Sequence, residues 1–66
     1  MDENELRELA AEIARYVIEN GLLDEDEGEW WLTSLGAAVT FEADVRGYEN
    51  ATEIGEEAVR LYSKKA

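Results

Sequence analysis

Apolar residues at Leu6, Leu9, Ala10, Ile13 and Val17 recur at three- and four-residue steps, which predicts an amphipathic helix over residues 3–20. Asp2, Glu3 and Glu5 suit the positive end of that helix, and Asn20 with Gly21 supplies a C-terminal cap. The pattern changes at Leu22. A short apolar pair, an acidic turn centred on Gly28 and the run Trp30, Trp31, Leu32, Thr33 read as a hairpin with strands near 22–24 and 29–33.

Further on, Val39, Phe41, Ala43 and Val45 alternate with Thr40, Glu42, Asp44 and Arg46. A helix competes for this stretch, but strict alternation with β-branched and aromatic content favours a half-buried strand over 38–46, with Gly36 as a turn or bulge before it. Residues 50–64 return to helical spacing through Ile54, Ala58, Leu61 and Tyr62. Asn50 and Glu53 resemble a capping box, and Lys64 and Lys65 close the C-terminal end. The expectation is one α+β domain over residues 1–66: an N-terminal helix, a small antiparallel sheet of two or three strands, and a C-terminal helix.

Composition limits what such a domain can do. A chain of 66 residues builds a small core, and without Cys or His it has no disulfide or structural metal to reinforce it. The same absence removes the usual nucleophile and base pairs, and the five glycines are scattered singly, with no phosphate-binding loop. An enzyme is not expected, nor a cofactor. Calcium fits the carboxylates of residues 24–29 in kind. However, placing Gly28 at the sixth position of an EF-hand loop puts Leu23 first and Ser34 twelfth, so no metal site is assigned. No secretory leader or apolar run of about 18 residues is visible, and the expected location is the cytoplasm.

Charge changes the picture most. Seventeen Asp and Glu against six Lys and Arg give −11, a field that repels nucleic acid and anionic membrane and attracts basic protein surfaces. Asp2, Glu3, Glu5, Glu49 and Glu53 have a local role at helix N-termini, and Glu3 with Arg7 and Glu56 with Arg60 fit ion pairs four residues apart. The acids left over are Glu8, Glu12 and Glu19 on the first helix, Asp24, Glu25, Asp26, Glu27 and Glu29 in the hairpin turn, and Glu42 and Asp44 on the outer strand face. On a strand Trp30 and Trp31 face opposite ways, which leaves one of them, taken as Trp30, as an aromatic anchor among the carboxylates. These eleven residues form the candidate partner-binding set.

The segment "VIENGLLDEDEGEWWLTSLG" resembles the back half of a winged-helix domain, but the helix that would read DNA carries Glu5, Glu8, Glu12 and Glu19 where phosphates require Lys or Arg. In size, charge and lack of cofactor chemistry the whole chain resembles the small acidic anti-defence proteins of phages and plasmids, including anti-CRISPR proteins and DNA mimics. That resemblance implies a non-enzymatic inhibitor, monomeric or homodimeric, that occupies the basic nucleic-acid groove of a host defence complex such as a CRISPR complex. The alternatives are an acidic structural or regulatory module, in one form a strand-paired homodimer, and a surface acidic for solvation alone.

Overall fold

The computed structural model describes residues 2–23 and 29–63, the side chains of Glu29 and Trp30 excepted. Among the described residues it contains three α-helices and no strand: α1 (Glu3–Glu19), α2 (Glu29–Val45) and α3 (Ala51–Ser63). The α+β expectation is therefore corrected to a small all-α bundle. The stretch read as a strand over 29–33 lies inside α2, as does all of 38–46 except Arg46, and Leu22 and Leu23, read as the start of a hairpin, belong to the connection after α1.

Competition between two periodicities explains the error. Leu32, Leu35, Val39 and Ala43 already carry helical spacing; Leu35, Val39 and Ala43 are fully buried and Leu32 packs against the core. The strand-like alternation depended on adding Phe41 and Val45, which are 70% and 65% exposed. In a helix of 3.6 residues per turn, positions 39 and 41 point about 200° apart, so the apolar residues of α2 divide between inside and outside.

The core is built from Ile13 and Val17 of α1, Leu35 and Val39 of α2 and Ile54 of α3, interleaved with Ala10, Ala14, Ala43, Ala51 and Ala58. The alanines let three backbones approach closely, and the larger side chains fill the space between them. Trp31, Tyr48 and Tyr62 close the rim of this core, with the Trp31 and Tyr62 rings 5.7 Å apart and tilted by 51°. The radius of gyration, 10.8 Å, matches that of a compact chain of this length.

Both interhelical turns begin with the same device. Gly21 donates its N–H to the Ile18 carbonyl (3.2 Å) and Leu22 to that of Val17 (3.0 Å), while Gly47 donates to Asp44 (3.0 Å) and Tyr48 to Ala43 (3.1 Å). These are Schellman caps, and they require the positive φ of 64° at Gly21 and 93° at Gly47. A guanidinium then ties the end of α2 to α1. Arg46 Nε bonds the Glu42 carboxylate at 2.8 Å, its Nη1 lies 3.6 Å from that of Glu12, and it stacks 5.0 Å above the Tyr16 ring. The hydrogen bond to Glu42 raises the Arg46 pKa above its ordinary value, the charges of Glu42 and Glu12 add to this, and partial burial opposes it.

Glu57 is the one buried charged residue among those described. Arg60 bonds it and Arg7 lies 4.0 Å away, so the two arginines expected to pair with Glu56 and Glu3 both turn to Glu57 instead. Burying a carboxylate against solvated arginines gains little, because desolvation cancels much of the attraction. Glu57→Met is therefore expected to leave the thermal midpoint unchanged or raise it, by about 1 kcal/mol of stability at most. The paired change Arg7→Ala with Arg60→Ala, which strands the carboxylate, is expected to lower it in the same melts.

Candidate functional site

The structure brings acidic residues together on the side of the bundle formed by α1 and the α2–α3 connection. Asp2 caps α1 by accepting the Glu5 N–H at 2.9 Å, which fixes the first turn. From that turn Glu5, Glu8 and Glu12 project at helical steps along one exposed face and line a shallow hollow with Leu9 and Tyr48. A second hollow, lined by Gly47, Tyr48, Glu49, Asn50 and Glu53, shares Tyr48 with the first. Tyr48 is held there because the Schellman cap at Gly47 turns the chain at that point and its ring packs on the core. Carboxylates from two separate parts of the chain thus flank one half-buried tyrosine, and no Lys or Arg lines either hollow.

Of the residues expected from the sequence, Glu8 and Glu12 belong to this surface. Glu19 is exposed at the last turn of α1, outside both hollows, and Asp44 is exposed on α2 beside a different groove. Glu42 is half-buried and committed to Arg46, so its role is structural, and Glu12 shares the same guanidinium while its side chain stays 68% exposed. Asp24, Glu25, Asp26 and Glu27 lie outside the described residues, as do the side chains of Glu29 and Trp30. The argument that Trp30 and Trp31 face opposite sides of a sheet falls with the sheet: in α2 they sit about 100° apart, and Trp31 packs against the core.

Sequence reasoning missed Tyr48, Glu5, Glu49 and Glu53. The three acids were set aside as helix-terminal residues, although the Glu5, Glu8, Glu12 spacing shows that they share a face once α1 is drawn as a helix. Nothing local in the sequence marks Tyr48 as the residue on which α1 and the second turn converge.

Among the described residues no group of Asp and Glu is placed to hold a metal ion, and no helix is long and apolar enough to cross a membrane. No protein-family model matches the chain, and no curated protein or solved structure is significantly similar to it.

Proposed function

We propose that this protein is a non-enzymatic binding module that presents the acidic surface around Tyr48 to a cationic protein partner of the nucleic-acid-binding kind. The observation that carries the reading is the convergence of Glu5, Glu8, Glu49 and Glu53 on one tyrosine with no Lys or Arg lining either hollow, joined by Glu12, which shares the Arg46 guanidinium while its side chain stays exposed. An acidic coat serving solvation alone needs no such convergence. Glu8 and Glu12, one helical turn apart, are separated along the helix by about 6 Å, a spacing suited to basic side chains arrayed for successive backbone phosphates. Tyr48 adds an apolar body with a polar tip at the centre, the type of residue that anchors interfaces ringed by charge. In its most specific form the module occupies the nucleic-acid groove of a host defence complex, as the small acidic anti-defence proteins do.

The test is competition. A basic nucleic-acid-binding protein, such as the effector of a CRISPR complex, is titrated with this protein against labelled DNA or RNA. Competition is expected to weaken as the Debye length shrinks from about 10 Å at 0.1 M salt to about 3 Å at 1 M. Reversing Glu5, Glu8 and Glu49 to Lys should abolish it while circular dichroism stays helical, because all three are exposed. Competition that survives this reversal places the binding surface elsewhere, and its absence for the wild type across defence effectors removes the inhibitor reading.

A further inference from the structure

The turn that ends α1 contains the one Asn–Gly pair of the chain. Asn4 is followed by Glu5 and Asn50 by Ala51, whereas Asn20 is followed by Gly21. The backbone nitrogen after an asparagine is a nucleophile toward the side-chain amide carbon of that asparagine, and a Cβ on the following residue crowds the attack. Gly21 carries no Cβ, and the space where one would stand is open for 4 Å. Both residues are exposed, so water and solvent base reach the pair.

The folded geometry holds the reacting atoms apart. Closing a five-membered imide requires the Asn20 Cβ to eclipse the Gly21 nitrogen across the Cα–C bond. At the observed ψ of 8° the Asn20 backbone nitrogen takes that eclipsed position instead, so the bond must rotate before the ring can close. Three hydrogen bonds oppose the rotation. Asn20 Nδ2 donates to the Tyr16 carbonyl at 2.8 Å, the Gly21 N–H to that of Ile18 at 3.2 Å and the Leu22 N–H to that of Val17 at 3.0 Å. The first pins the nitrogen that would leave, and the second occupies the proton that the nucleophile must lose.

We propose that Asn20 is a modification site for hydrolytic deamidation, gated by the C-terminal cap of α1. When the cap opens, the Gly21 nitrogen, its proton lost to solvent base, attacks Asn20 Cγ. The Cγ–Nδ2 bond breaks, and ammonia leaves with a proton returned from solvent. Water then adds to one of the two imide carbonyls. Cleavage of the new Cγ–N bond gives aspartate; cleavage at the backbone carbonyl gives isoaspartate, in which the chain runs through Cβ. The balance is one water taken up and one ammonia released, with no change of oxidation state.

Neither product can rebuild the cap. A carboxylate at position 20 has no donor for the Tyr16 carbonyl, and it adds negative charge at the negative end of the α1 dipole, beside Glu19. Isoaspartate also inserts Cβ into the main chain and displaces the Gly21 and Leu22 donors from Ile18 and Val17. The last turn of α1 carries Tyr16, on which Arg46 stacks, and the buried Val17, so its loosening reaches the contact between α1 and α2. None of this involves the acidic surface around Tyr48.

The test incubates the full chain in mildly alkaline buffer, with and without denaturing urea, and follows the asparagines by peptide mass mapping and isoaspartyl methyltransferase labelling. Asn20 is expected to convert before Asn4 and Asn50 in both, and at least about 10-fold more slowly in the folded protein, because local opening must precede attack. Leu22→Pro removes one cap donor at an exposed position and should bring the folded rate toward the urea rate while the spectrum stays helical. Asn20→Asp, equivalent to the product with a normal backbone, should melt below the wild type by about 4 °C. A folded rate equal to the urea rate, or Leu22→Pro as slow as the wild type, would overturn the gate. Earlier conversion of Asn4 or Asn50, or an unreactive Asn20 in urea, would overturn the site, and Asn20→Asp melting at or above the wild type would overturn its effect on α1.

Discussion

Replacing Gly55 with alanine is expected to lower the melting temperature by about 10 °C, although alanine is the better helix former. A Cβ at position 55 would overlap Thr40 Oγ1, lie 3.1 Å from Thr40 Cβ and come within 2.8 Å of the Gly36 carbonyl oxygen. Two of these obstacles are a short β-branched side chain and a backbone atom, and neither can swing aside as the end of a long side chain would. The helices must therefore separate along their closest contact, and the alanines that permit close packing elsewhere in the core lose their fit. Overpacking of this kind costs about 1 to 3 kcal/mol, while the gain in helix propensity is about 1 kcal/mol. Where a backbone atom is the obstacle the cost lies at the upper end of that range, leaving a net loss near 2 kcal/mol. Adding Thr40→Ala removes the hydroxyl but leaves the Gly36 carbonyl, so the double variant should melt between Gly55→Ala and the wild type. A Gly55→Ala protein that melts at or above the wild type would mean that α2 and α3 do not meet this closely.

The same pair of glycines shows which part of the fold was legible in the sequence. The faces of α1 and α3 could be read from apolar spacing because each has one apolar stripe and one charged face, so only a single period fits. α2 has no charged face. Its outer ridge of Thr33, Ala37, Phe41 and Val45 is as uncharged as its buried stripe, and a helix apolar all round generates a period of two by accident wherever Thr40, Glu42 and Asp44 fall between apolar neighbours. Gly36 strengthened the illusion. Read alone it is a turn or a bulge, whereas in the bundle it faces α3, where a Cβ would stand 2.7 Å from Val59 Cγ2. Its meaning depends on a partner helix that local sequence does not reveal.

The acidity of the surface around Tyr48 was legible in the sequence, and the place where those acids gather was not. A net charge of −11 carried the expectation of a basic partner, and subtracting the acids with local roles left Glu8 and Glu12, which line the hollow beside Tyr48. That subtraction removed too much, since Glu5, Glu49 and Glu53 lie near helix starts and also line the hollows around Tyr48. An acid at a helix N-terminus satisfies the dipole and remains exposed, so a local role does not exhaust it. Glu42 shows the converse. It had no evident structural role along the chain, and the Arg46 clamp between α2 and α1 gives it one.

Val39→Asp and Phe41→Asp are expected to diverge sharply, and they separate the helical arrangement of α2 from the strand reading with the largest effect of any pair of substitutions. On a strand the two positions share a face, and both changes would bury a charge in the same core. In α2, Val39 is fully buried among Ile13, Leu35 and Ile54, while Phe41 stands 70% in solvent. Val39→Asp removes a core side chain and places a carboxylate in a fully buried apolar position, a combination that costs more than about 4 kcal/mol and is enough to unfold a domain of 66 residues that has no cysteine to form a disulfide. Phe41→Asp exchanges one exposed side chain for another, and its stability should stay within about 0.5 kcal/mol of the wild type, as for other surface changes. Far-ultraviolet circular dichroism with urea titration reads both: a coil spectrum for Val39→Asp and a helical, cooperative transition for Phe41→Asp. Equal unfolding by the two variants would return residues 39 and 41 to one buried face and overturn the helical reading of α2.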